Sequence, residues 1–334
     1  MTTQITQDKK LNPLFEKVTN QIVEALEKGE HDDKWACPWD RMTSVAINAK
    51  TGRRLSGISQ ILCSMSMLEH GFEANKWMTF KQAVSLGGSI IKGSKSTTVV
   101  WLRPFIVEEV DGKEKLRSPE GDELHQAIEE GKVIWSYRNA PYFNVEQIEG
   151  LDDEYYEPIK QASAHGLGDG FTPVKEAEAF IELLETSEDP LKLTHEGIAA
   201  YYVPRIDKVV MPEKGKFHNE IAYYGTLLHE IGHWSGHQSR LAREGVVDFD
   251  KFGSSKYAFE ELIAELTATF KAAEMGLERK VRKDHINYVA TWIKVLKKDP
   301  KAIFNAAGEA MKAVKLLNKL SDHQLALLEN SDAA

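Results

Sequence analysis

His229-Glu230-Ile231-Gly232-His233 sits within residues 221–234, Ile-Ala-Tyr-Tyr-Gly-Thr-Leu-Leu-His-Glu-Ile-Gly-His-Trp, and this stretch decides how the C-terminal half is read. Leu227, Leu228 and Ile231 recur at helical spacing, which predicts a buried helix. Histidines four residues apart then share one face, one turn from each other. Both imidazoles can reach one zinc ion, and Glu230 between them can face a zinc-bound water. Gly232 costs a helix stability relative to alanine, a cost explained if another element must approach closely there. The motif is short enough to arise by chance, and two core histidines around a solvated glutamate are the plain alternative.

Catalytic zinc takes three protein ligands and keeps one position open. The extended pattern HExxHxxGxxH finds Gly236 in place but Ser239 where its third histidine belongs, and His237 is out of phase. A downstream helix over 257–270 offers better candidates. Phe259, Leu262, Ile263, Leu266 and Phe270 form an apolar stripe, whereas Glu261 and Glu265 fall on another face. Ala258, Ala264 and Ala268 nearby allow close packing. Glu261 is the expected third ligand, and Glu265 the acceptor that fixes a ligand histidine's tautomer. Glu260 points elsewhere in this phase and is the second choice. A solvated acidic face is the alternative for the pair. Zinc would lower the pKa of its water towards ~7 and polarise a scissile carbonyl. Glu230 would take the water proton and pass it to the leaving amine. Tyr202, Tyr223, Tyr224 and His237 stay open as donors to the oxyanion.

The chain of 334 residues is long enough for two domains. It contains no long apolar run, which excludes a transmembrane helix, and residues 1–10 lack the apolar core of a signal peptide. Its two cysteines, Cys37 and Cys63, make no disulfide framework, so a reducing, cytoplasmic setting is expected. The net charge of −9 argues against a nucleic-acid binder, but the distribution does not. Residues 50–105 carry eight basic side chains against two acidic ones, interleaved with Phe72, Trp77, Phe80, Trp101 and Phe105. Cations track phosphates and aromatic faces stack on unpaired bases, so single-stranded nucleic acid fits this mixture better than duplex. The candidate DNA contacts are Arg53, Arg54, Lys76, Trp77, Lys92, Lys95, Trp101 and Arg103. Core tryptophans and solvated lysines are the competing explanation.

Helices are expected over 12–29, 58–68, 78–87, 177–186, 282–298 and 302–320, and strands over 96–106, 134–142 and 201–211. The last strand precedes the motif helix, where its edge suits an extended substrate. Residues 107–132 read as a hairpin tip or an insertion. A turn-rich linker over 156–173 divides a domain of 1–155 from one of 174–334. The expected fold class is α+β in both: an N-terminal domain that holds the candidate single-stranded nucleic-acid segment and a C-terminal zincin-like domain of gluzincin type.

With these pieces in order, the chain resembles the ArdC-type anti-restriction proteins of plasmids and phages. The N-terminal part of the resemblance rests on Pro38-Trp39, Thr51-Gly52, Gly57-Ile58, 77–83 (Trp-Met-Thr-Phe-Lys-Gln-Ala), 92–97 (Lys-Gly-Ser-Lys-Ser-Thr) and 143–147 (Phe-Asn-Val-Glu-Gln). The C-terminal part rests on 207–212 (Asp-Lys-Val-Val-Met-Pro), Tyr223-Tyr224, 229–237, 239–241 and 260–265, with Tyr288, Trp292 and Asp299. Where the family often has an aromatic and an asparagine around the Gly-Ile pair, this chain has Leu55 and Ser59. The resemblance implies a DNA-binding N-terminal domain, a metallopeptidase-like C-terminal domain and protection of incoming mobile DNA from host restriction. Zinc is the expected cofactor, though another divalent ion would suit the same donors. The expected partners are single-stranded DNA and a protein substrate, such as a restriction component or a DNA-bound protein, with no membrane. Two other readings stay open: a DNA-binding protein with a structural or vestigial metal site, and a DNA-dependent protease.

Overall fold

The computed structural model describes residues 13–29, 39, 42, 44–110, 113–159, 173–248, 255–277 and 286–332. They form two compact units, Ala46–Ile159 and a second assembled from the chain on both sides of it. Helices and strands occur in both, so the α+β class holds. The break at 159 is close to the expected one at 155, but helix α1 (Pro13–Gly29) belongs with the C-terminal unit and not with the residues that follow it. Residues 160–172 of the expected linker, and Cys37, lie outside the described residues.

The Ala46–Ile159 unit runs β1 (Ile47–Asn48), α2 (Gly57–His70), β2 (Lys76–Met78), α3 (Phe80–Ser85), β3 (Ser89–Ile90), β4 (Thr97–Val110), β5 (Lys113–Arg117), α4 (Glu123–Glu129), β6 (Ile134–Asn144), β7 (Ile148–Glu149) and α5 (Asp153–Tyr156). Five strands join in the order β1-β2-β6-β4-β5, and β3 pairs with β7. Only β1 and β2 run parallel. The β-branched run 97–100 suits the pleated surface of β4. The segment 107–132 extends β4 into a hairpin with β5 and then forms α4. Thr79 starts α3 with a reciprocal capping box to Gln82. Leu55, Cys63, Trp77 and Val99 make a buried cluster between α2 and the sheet. The Ser59 hydroxyl donates to the Val100 carbonyl at 2.7 Å and accepts from its N–H at 2.8 Å. Ser59 thus bonds both backbone groups of Val100, whose carbonyl also accepts from the Ser56 hydroxyl, a structural task rather than a DNA contact.

The C-terminal unit adds α6 (Lys175–Glu185), β8 (Lys192–His195), β9 (Tyr201–Val203), β10 (Lys208–Met211), α7 (Glu220–Trp234), α8 (Glu244–Val247), α9 (Ser255–Glu274), α10 (Ile286–Lys298) and α11 (Ala302–Asp332). Its sheet has the order β8-β10-β9, with β8 parallel and β9 antiparallel to β10. The single strand expected over 201–211 is therefore a hairpin. Pro204 opens a helical turn, and Asp207 at φ 50° takes the left-handed conformation that reverses the chain. Helix α7 lies against α9, and Leu184, Val209, Met211, Leu227, Ile231 and Leu317 share one apolar core with it. Phe15 of α1 meets Phe304 edge-on at 4.8 Å, and the Thr19 hydroxyl donates to the Pro300 carbonyl at 2.7 Å. Such burial of the apolar stripe of α1 is what ties it to this unit.

Candidate metal centre

Helix α7 starts at Asn219, whose side chain accepts from the Ala222 N–H, and carries His229, Glu230 and His233 inward. Helix α9 is buried at every position from 260 to 273, so its carboxylates do not form a solvated face. The two helices meet at Gly232. A Cβ there would lie 3.0 Å from both Cα and O of Ala264, tighter than nearly all real contacts. The close approach expected from that glycine is thus made by the backbone of α9.

The approach brings donors together. The Nε2 atoms of His229 and His233 are 3.1 Å apart, and each lies 3.4 Å from an oxygen of Glu261. One nitrogen from each histidine and one Glu261 oxygen fall within 4.8 Å of one another, the arrangement a cation would need. The other ring nitrogens are held from behind. His229 Nδ1 is 3.3 Å from Glu265, and His233 Nδ1 is 3.2 Å from Glu260. Glu260 was expected to point elsewhere; instead it orients His233. The reason lies in the loop after α7, which folds back and aims Arg243 at Glu260. Arg243 is 4% exposed. It donates Nε to Oε2 at 2.9 Å and Nη2 to Oε1 at 2.7 Å of Glu260. Its remaining donors reach Ser235 Oγ at 2.9 Å and the Gly232 carbonyl at 2.7 Å. Gly245 gives Glu260 room, since a Cβ there would sit 2.6 Å from its Cβ. Arg243 escaped the sequence reading; the glycines at 236 and 245 around it were the available signal.

These carboxylates set the charge of the histidines. Burial alone would lower the His233 pKa, but Glu261 and Glu260 outweigh it and push it up to about 10. Burial opposes the same rise at His229, where Glu261 and Glu265 prevail. Burial would raise Glu261, yet the two histidines pull it well below the usual carboxylate range. A metal can bind only after those protons leave. Affinity for a divalent ion is therefore expected to rise from acid through neutral pH and on towards about pH 10, where His233 gives up its proton, with protons released on binding. Competition with a chromophoric chelator across pH measures it, and a flat profile would contradict protonated imidazoles.

Three of the four candidate oxyanion donors are engaged elsewhere. Tyr223 meets His195 Nε2 at 2.8 Å, Tyr224 donates to Glu178 at 2.6 Å and Tyr202 donates to Asp207 at 2.7 Å. His237 contacts Ser239 Oγ at 2.8 Å and lines a cavity beside α7.

In the Ala46–Ile159 unit, Arg53, Arg54, Lys92, Lys95 and Arg103 are exposed, and Lys76 and Trp101 are half-buried. Trp77 does not belong with them. It is fully buried, with its indole N–H on Asn75 Oδ1 at 2.7 Å, so it offers no face to a base. Lys76 donates to the Glu154 carbonyl at 2.8 Å. Trp101 and Arg103 lie two apart on β4 and so share a face, and Arg138 stands opposite Trp101 on β6. The Arg103 and Arg138 guanidiniums lie 5.8 and 4.6 Å from the Phe105 ring centre. Arg138 was missed because only the strand register brings it to this face. Lys92 and Lys95 lie apart from that ladder, on the loop after β3.

The fold and the cluster define a two-unit protein whose C-terminal part is a zincin-like metallopeptidase domain, and residues 175–309 match that family. Residues 12–138 match the N-terminal domain of anti-restriction factor ArdC. The chain belongs to the ArdC anti-restriction family. The crystal structure of the metal-free antirestriction protein ArdC from plasmid R388 superposes with a TM-score of 0.71 at 30% identity, covering 93% of this chain and 99% of that one. Its Mn(II)-bound structure gives 0.68, also at 30% identity, covering 92% and 98%. The uncharacterized protein y4eC of Sinorhizobium fredii is 30% identical over 89% of each chain. Two DNA primases TraC of Escherichia coli are 33% and 32% identical across 90% of this chain, which spans only 19% and 26% of their lengths. No helix among the described residues is long and apolar enough to cross a membrane.

Proposed function

We propose that this protein binds single-stranded DNA through the Ala46–Ile159 unit and hydrolyses a protein substrate at the α7–α9 cluster, and that it thereby protects incoming DNA from restriction. The observation that carries the hydrolytic reading is the convergence of His229, His233 and Glu261 with Glu230 on the same helix. These donors fit zinc, and the existence of a Mn(II)-bound structure of the R388 relative supports a divalent ion here. A bound ion would acidify water and polarise the scissile carbonyl. Glu265 and Glu260, behind the rings, keep the histidine nitrogens aimed at one point, where Glu261 supplies the third donor. Glu230, 5% exposed, takes the proton of the attacking water and returns it to the leaving amine.

The DNA reading is supported by the Trp101–Arg103–Arg138 ladder, where cations flank aromatic faces. Titrating a fluorescent single-stranded oligonucleotide into the whole chain, across salt and against duplex competitor, tests it. The whole chain is needed because α1 belongs to the other unit. Trp101→Ala is expected to cost about 1–3 kcal/mol of binding. Arg103→Ala or Arg138→Ala should each flatten the log–log salt slope by roughly 0.7. Equal affinity for duplex, or no effect of all three substitutions, would remove this face from consideration.

A further inference from the structure

A cavity of about 630 Å³ opens past the C-terminal end of α7, the helix that carries His229 and His233, with Tyr202, Val203, Arg205, His237, Gln238 and Val246 among its walls. It shares structure with the metal centre on two sides. His237 comes one turn after His233, its N–H donating to the Trp234 carbonyl at 3.1 Å. Val246 follows Gly245, which lies against Glu260. The third side is the end of β9, an edge strand of its sheet. A peptide extended along that edge would pass its side chains across the cavity mouth.

The chemistry of the walls is one-sided. Val203 and Val246 are apolar, and the polar groups are a guanidinium, an imidazole, a carboxamide and a tyrosine hydroxyl. Among the described residues, no carboxylate lines it. The Tyr202 hydroxyl is committed to Asp207, whose charge Arg240 in turn neutralises. Arg205 is exposed and forms no ion pair among the described residues. The Ser239 N–H donates to His237 Nδ1 at 3.2 Å, which places the ring proton on Nε2 and makes that atom a donor.

We propose that this cavity receives an acidic side chain, Glu or Asp, of the peptide substrate. Its apolar walls take the side-chain stem. Arg205 is the residue that selects its charge, and the His237 Nε2–H is a second donor to the carboxylate. This assignment rests on the hydrolase reading above and names the substrate class of that site.

The test uses fluorogenic peptides identical except for Glu, Ala or Lys at each position flanking the scissile bond. The wild-type protein is expected to prefer Glu over Lys at one position by about tenfold or more in kcat/KM, the scale of a charged hydrogen bond. Arg205→Glu should invert that ratio, and Arg205→Lys should keep its direction. An unchanged ratio in Arg205→Glu overturns the proposal. If no peptide is cleaved, the same peptides are titrated by anisotropy into the metal-loaded Glu230→Gln protein. Glu-selective binding that Arg205→Glu inverts would sink the hydrolase reading and keep the cavity's assignment, whereas charge-blind binding would sink the assignment itself.

Discussion

Arg243→Met is expected to destabilise the C-terminal unit by about 3–5 kcal/mol, the usual consequence of removing one partner from a buried ion pair. Arg243 gives Glu260 both of its arginine hydrogen bonds, and both residues are almost fully buried. Methionine fills comparable space but leaves the buried Glu260 carboxylate without its guanidinium partner, with His233 Nδ1 at 3.2 Å still beside it, and leaves the Gly232 carbonyl and Ser235 without that donor. The cause is separable from lost packing. The double variant Arg243→Met/Glu260→Met removes both charges and should recover much of the loss, because an apolar pair can replace a buried ion pair at little cost. Denaturant midpoints of the metal-free proteins give the comparison. A single variant within about 0.5 kcal/mol of wild type would mean that Glu260 is satisfied without Arg243. The same substitution should also weaken metal binding, since His233 loses a fixed acceptor behind its Nδ1.

Glu230→Gln is expected to lower peptide hydrolysis by roughly 10²–10⁴-fold, the span of general acid–base contributions, with metal content and DNA affinity unchanged. Glutamine keeps the shape and the α7–α9 packing while removing the group that carries the proton. The variant also separates the competing readings. Restriction protection that survives in full would make the metal site structural or vestigial. Protection lost together with cleavage would make proteolysis the working step. Cleavage by the wild type only when single-stranded DNA is present would point to DNA-bound proteins as substrate. Cleavage by Glu230→Gln at the wild-type rate would remove Glu230 from the proposed chemistry.

Much of the cluster was legible because a helix converts spacing into direction. His229 and His233, like Glu261 and Glu265, each sit four apart, and each pair occupies one face as the period requires. Gly232 was readable for the same reason, as a small residue on a face crowded by a second helix. Glu260 and Arg243 were not legible. Their pairing depends on the return of the loop after α7, a tertiary event with no local period. Trp77 shows the limit from the other side. Composition gathers cations and aromatics in 50–105, but only the pleat and register decide which rings face the core and which face solvent. The hairpin at 201–211 was hidden by continuous β character, although Pro204 and Asp207 together carried the turn.

The contact between Gly232 and Ala264 acts as a caliper. The donors of α7 and those of α9 belong to different helices, and the gap between them is fixed by backbone touching backbone rather than by flexible side chains. The radius of the ion the centre accommodates is thus gauged at a point that contains no donor. Metal preference within such a centre can drift through the small residues between its helices while every ligand stays the same.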